Sequence, residues 1–272
     1  MSNIAISASM NSLVNTLQNI SEASAVATTR LATGKRVNSA IDNPSSYFAA
    51  QAGNQRANQL MSLKDSVGQA IQTVNAASKG IDAISSTIKS MQGVITQART
   101  SLGDATAMGT LSTQFNALSD QLDELVDDAG YAGVNLLTSA ASLKVNFNET
   151  ATSSLTLAGF DASSTGLTIA DQTWDGATAT AALDTIQTAL NAASTKLSSE
   201  ATVQASNLSV LTTRQTFLSD MANVLQTGAN ALTAADQNEE SANLLTLQSR
   251  QQLATSALSM ANQAQSSILR LF

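Results

Sequence analysis

Four carboxylates crowd the stretch LDELVDDAG: Asp123, Glu124, Asp127 and Asp128. On a helix Asp123 and Asp127 share one face, and so do Glu124 and Asp128, an oxygen-rich grouping that could hold a hard cation such as Ca²⁺. The same grouping serves as a solvated helix end. Little else in the chain is equipped for chemistry. Its 272 residues include no histidine, which removes the commonest general base and the commonest neutral metal ligand. There is no cysteine, so no disulfide, thiolate nucleophile or cysteine metal site is available. No phosphate-binding loop and no dinucleotide glycine fingerprint occur. The expectation is a non-enzyme with no cofactor and no bound metal.

A second cluster is basic. RLATGKRVNSAIDNP, from Arg30 to Pro44, carries Arg30, Lys35 and Arg36 in a chain of net charge −7, and holds its one proline. Gly34 and Pro44 punctuate it, so it reads as a hinge between two helical stretches. The acidic balance argues against nucleic acid. Lys35-Arg36 has no neighbouring aromatic side chain on which bases could stack. No apolar run is long enough to span a membrane, and MSNIAISASMNSL lacks the charged and apolar regions of a secretory signal peptide. Charged residues make up 12%, about half the usual share. Polar character comes instead from Ser, Thr, Asn and Gln, a composition that suits either polar surface packed against other protein or a low-charge secreted protein.

The elements that position these clusters show in the periodicity. Leu60, Val67, Val74, Ile81, Ile88, Ile95 and Leu102 recur every seventh residue, and Leu63, Ala70, Ala77, Ile84, Met91 and Ala98 form a second track. Alternating steps of three and four place both on one helix face. A helix this long needs a partner along its length. Leu111, Phe115, Leu118, Leu122 and Leu125 supply one, and Leu183, Ile186, Leu190, Leu197, Leu211, Leu218 and Leu225 another, flanked by Val203, Val210, Phe217 and Val224. Helices over 45–102, 105–129 and 180–227 form an antiparallel bundle. Between the last two, SLKVNF and SSLTLAGF alternate as strands joined by NETAT, and GLTIADQTW reads as a possible third strand. The fold class is mainly α: a long antiparallel helical rod with one or two β-hairpins at 131–180.

Both ends carry narrow apolar stripes. Ile6, Met10, Leu13, Leu17, Ile20, Ala27 and Leu31 form one; Leu244, Leu247, Ala254, Leu258, Ala261, Ile268 and Phe272 form the other. Their backs are neutral and polar. Such helices are marginal alone in water, but buried among copies they involve no buried charge. Two arrangements follow: packing between copies, or a simple hairpin of the two ends.

ATTRLATGKRVNSAIDNPSSYFAAQ resembles the N-terminal signature of bacterial flagellin, and ALTAADQNEESANLLTLQSRQQLATSALSMANQAQSSILRLF resembles its C-terminal signature. The resemblance covers well over half the chain; only 131–180 matches poorly. It implies the structural subunit of the bacterial flagellar filament, secreted and extracellular, polymerising with itself into a hollow helical filament for swimming. Terminal helices and connectors at 1–44 and 229–272 would build the inner tube, and 45–228 the outer tube, without large outer domains. Arg30, Gly34, Lys35, Arg36, Asn38 and Asp42 would form the connector, its cations pairing with carboxylates such as Asp42, Asp236, Glu239 or Glu240. The family further implies partners: the flagellar export apparatus, an export chaperone, the filament cap and the hook-junction proteins. Two rivals are the hook–filament junction protein, with similar ends, and a flagellin-like glycan-binding surface protein using Trp174. Family members sensed by a vertebrate Toll-like receptor carry Arg and Glu where Ser90, Gln92 and Gly93 fall here, which implies weak sensing. Thr152, Ser153, Ser154, Ser163, Ser164 and Thr165 are expected to face solvent, where glycosylation is feasible.

Overall fold

A computed structural model describes residues 8–174 and 179–269. The elements in chain order are α1 (Ala8–Thr33), α2 (Pro44–Thr100), α3 (Ala105–Asp128), β1 (Ser142–Asn146), β2 (Ser154–Ala158), α4 (Ala179–Thr233) and α5 (Gln237–Leu269). The chain divides into two compact units, 1–57 with 223–272, and 58–222. Helices α2 and α4 each contribute to both.

In the 58–222 unit the heptad tracks form the core. Val67, Val74, Ile81, Ile84, Ile88, Met91 and Ile95 of α2 are buried, with Met108, Phe115, Leu122 and Val126 of α3 and Leu183, Leu190, Leu197, Leu211 and Leu218 of α4. The antiparallel pairing of α2 and α4 is read from polar contacts beside the seam: Gln92 Nε2 donates to Asn191 Oδ1 at 3.2 Å, and Arg99 meets Asp184 at 2.7 Å. Asp104 caps α3 by accepting from the amides of Thr106 and Ala107. Gly80 is required by close approach: a Cβ there would stand 2.5 Å from the Leu137 side chain and 2.8 Å from Ala129. The first track ends earlier than its spacing suggests. Helix α2 stops at Thr100, so Leu102 lies in the turn to α3 and is exposed.

Strands β1 and β2 make one antiparallel hairpin in register Ser142↔Ala158 through Asn146↔Ser154. Alternation buries Val145 and Leu157 on one face. Arg214 lies 5.1 Å over the Phe147 ring and ties the hairpin to α4. GLTIADQTW is not a strand but an irregular segment held against α3. Asn116 Nδ2 donates to the Gln172 carbonyl, Asn116 Oδ1 accepts from the Gln172 amide, and Trp174 packs on Phe115 at 5.6 Å between centroids. Trp174 is 3% exposed with its Nε1 donating to Gln172 Oε1, so its ring offers no face to a sugar. Ser164 likewise does not project freely: its amide and hydroxyl donate to the two Asp123 oxygens at 2.6 and 2.7 Å. Ser153 and Ser163 are half-buried, whereas Thr152, Ser154 and Thr165 are exposed.

Candidate functional site

In the other unit α1 packs against α5. Ile20, Ala27 and Leu247 are buried at the centre of the contact, joined by Leu244 and Ala254. Met10, Leu13, Leu17, Leu31 and Leu258 continue it half-buried. The terminal seams thus meet each other within one chain and keep part of their surface free. Ile6 and Phe272 lie outside the described residues, as does the Ile268 side chain. A second apolar set was not legible as a stripe: Val14 and Val26 of α1, and Leu245, Leu253 and Met260 of α5, all exposed. Each sits off the seam; Val14 and Leu245 directly follow seam residues.

The connector forms by backbone pairing. Gly34 ends α1 at φ +67, a left-handed conformation that disfavours any Cβ. Its carbonyl accepts from the Ala235 amide at 3.0 Å, the Arg36 and Val37 amides donate to the Thr233 carbonyl at 2.7 and 3.3 Å, and Lys35 bridges Ala234. The two crossings between helices are therefore joined side by side. Val37 is buried beneath them. Nothing in the sequence around Thr233 signals this role, because the acceptor is a backbone carbonyl.

Arg30 reaches across to α5, its Nη1 donating to Glu240 Oε1 at 2.9 Å. Glu240 is 8% exposed and its Oε2 has no hydrogen-bond partner. Its place in the first turn of α5 favours the negative charge. Asp236 caps that helix by accepting from the Asn238 amide at 2.9 Å. Asp42 Oδ2 accepts from the Asn38 and Ser39 amides at 2.9 and 2.8 Å and from the Ser39 hydroxyl at 3.1 Å. Those backbone donors, Ser39 first and then Asn38, hold its carboxyl below the ordinary value. Asn38 Nδ2 closes the turn onto the Lys35 carbonyl. Asn43 then caps α2 by accepting from the Ser46 amide, with Pro44 as first helical residue. The Lys35 and Arg36 side chains stay exposed and form no ion pair among the described residues.

The carboxylates at the end of α3 divide. Asp123 is engaged by Ser164, while Glu124, Asp127 and Asp128 are exposed. No grouping of three or more acidic side chains able to hold a metal ion occurs among the described residues. No helix among them is long and apolar enough to cross a membrane.

The arrangement consists of paired terminal helices with surplus apolar surface, joined through a hydrogen-bonded connector to a helical bundle. Residues 4–142 match the family model of the bacterial flagellin N-terminal helical region. The chain is 32% identical to flagellin FljM of Caulobacter vibrioides over 94% of both chains, and 32% identical to flagellin FljK of the same species over 94% of both. It is 29% identical to a flagellin of Brucella melitensis over 100% of this chain and 99% of that one. A shared N-terminal region and end-to-end similarity to these relatives place the chain in the bacterial flagellin family.

Proposed function

We infer that this chain is the structural subunit of a bacterial flagellar filament and that it polymerises with itself through its paired terminal helices. One observation carries the second part. The ends bury a seam between themselves and still expose Val14, Val26, Leu245, Leu253 and Met260. Exposed apolar side chains spread along a nearly uncharged pair of helices suit burial against further copies. The residues proposed to pack between subunits are Ile6, Met10, Leu13, Leu17, Ile20, Leu31, Leu244, Leu247, Leu258, Ile268 and Phe272. Arg30, Gly34, Lys35, Arg36, Asn38 and Asp42 hold the connector geometry. Terminal helices with connectors, 1–44 and 229–272, form the inner part of the filament and 45–228 the outer part. The subunit acts outside the cell, delivered by the flagellar export apparatus with a chaperone and assembled beneath a cap onto hook-junction proteins. These partners follow from the family. The buried Trp174 favours this reading over glycan binding.

Negative-stain microscopy of the purified protein tests the reading, with filaments expected at high concentration. Leu258→Asp places a carboxylate in the half-buried α1–α5 seam and removes a side chain whose burial is worth about 1.5–3 kcal/mol. In a polymer every copy carries the change, so this variant should stay helical and unpolymerised. Thr156→Asp is the control: Thr156 is exposed on β2 opposite Lys144, and a charge there costs little. Equal polymerisation of both variants would remove the terminal helices from the assembly surface.

A further inference from the structure

Ile41 is 94% exposed, the largest exposure of any large apolar side chain among the described residues. It stands on the turn that Asp42 closes onto Asn38 and Ser39, a few residues after Lys35 and Arg36, exposed cations that form no ion pair among the described residues. An ordered turn that holds an isoleucine fully in water has no use for it within the chain.

The 58–222 unit carries a matching feature. A half-open cavity of about 310 Å³ lies among Leu63, Ser66 and Ala70 of α2, Tyr131 after α3, and Val145 and Asn146 of β1. Its lining is mainly apolar, and Asn146 Oδ1 is buried without a hydrogen-bond partner. The wall is fixed: the Tyr131 hydroxyl donates to Gln69 Oε1 at 3.0 Å, and Tyr131 and Val134 exchange backbone bonds across a turn with Ala132 at φ 50. Asp127 and Asp128, exposed and without ion pairs among the described residues, end α3, with two residues between the helix and Tyr131. Lys144 also lines the cavity.

We propose that Ile41 of one copy seats in this cavity of a second copy, with Lys35 and Arg36 against Asp127 and Asp128. The inference rests on the reading of the chain as a filament subunit. A knob and a hole on different surfaces of one chain make a heterologous contact, and such a contact repeats into an open helical string rather than closing as a dimer. Apolar knob meets apolar hole, and basic flank meets acidic flank. Rim charges of this kind fix orientation more than they add affinity.

Because the chain contains no cysteine, a disulfide can report the contact without background. Full-length Ile41→Cys protein is copolymerised with Ser66→Cys protein and oxidised. A disulfide needs Cα atoms within about 7 Å, so covalent heterodimers are expected in filaments and not in monomers. With both substitutions in one chain, a ladder of covalent oligomers is expected. As a second measurement, Ile41→Ser should raise the concentration needed for polymerisation about tenfold or more while leaving monomer melting unchanged. Joint Lys35→Glu and Arg36→Glu should weaken polymerisation, and Asp127→Lys with Asp128→Lys in the same chain should restore it. Filaments that form without the cross-link, or an Ile41→Ser protein that polymerises as the parent does, would overturn the contact while leaving the filament reading intact. Failure of the unaltered protein to form filaments would instead overturn that reading, and the contact with it.

Discussion

Replacing Arg30 with Leu isolates the contact that joins α1 to the start of α5. The substitution keeps an apolar stem on α1 but removes the guanidinium 2.9 Å from Glu240 Oε1. Glu240 is buried, and its Oε2 already lacks a partner, so both oxygens would then be without one. Breaking a buried ion pair from one side costs about 3–5 kcal/mol. The Arg30 side chain is 31% exposed, so water screens part of the interaction and about 2 kcal/mol is the better expectation. That corresponds to roughly a 30-fold increase in opening of the α1–α5 pair. Amide hydrogen exchange over α1 and the first turns of α5 measures it directly, because local opening governs exchange there. Adding Glu240→Leu should recover most of the loss, since the orphaned charge is then gone, with a coupling of about 1–2 kcal/mol in the double-mutant cycle. If the two single losses simply add, the pair does not hold the helices together and the account of the connector is wrong.

Two further outcomes follow from the buried and capped polar groups. Gln204 occupies the α4 seam between Leu197 and Leu211, is 1% exposed, and neither amide atom has a hydrogen-bond partner. Gln204→Leu should remove a desolvation penalty of about 1–3 kcal/mol and raise the melting temperature by a few degrees; a lower melting temperature would mean the amide is satisfied in solution. Asp42 has a carboxyl pKa lowered from 3.8, so its contribution to the connector is fully present above 3.8 and is lost as pH falls through the lowered value. An NMR titration of the Asn38 and Ser39 amides should therefore show a midpoint below 3.8, and a midpoint at or above it would contradict the hydrogen bonds drawn to Oδ2.

Repetition was what the sequence conveyed best. The tracks from Val67 to Ala98 are buried because a seven-residue spacing can satisfy only one helix face, whatever the tertiary context. One helix start was legible from its ring: Pro44 opens α2, where Asn43 caps it, whereas Asp236, expected as an ion-pair partner, caps α5 instead. The hairpin at 142–158 was legible from alternation, while GLTIADQTW alternates as well and still is no strand. Its residues meet α3 through Asn116, 56 positions before Gln172, and through Phe115, partners that no local pattern can announce. The same long-range bonding turned Ser164 from an expected solvent-facing residue into an anchor. In the connector the sequence placed the cations, but tertiary structure chose between them, giving Arg30 a buried carboxylate and leaving Lys35 and Arg36 in water. It also chose Thr233 as the acceptor for two connector amides, since any residue has the same carbonyl and only the fold brings that one within 2.7 Å of Arg36. Sequence thus determined which faces must be buried, because hydrophobic spacing is a local property. Tertiary structure decided which faces remain available, because exposure depends on what every other segment has already covered.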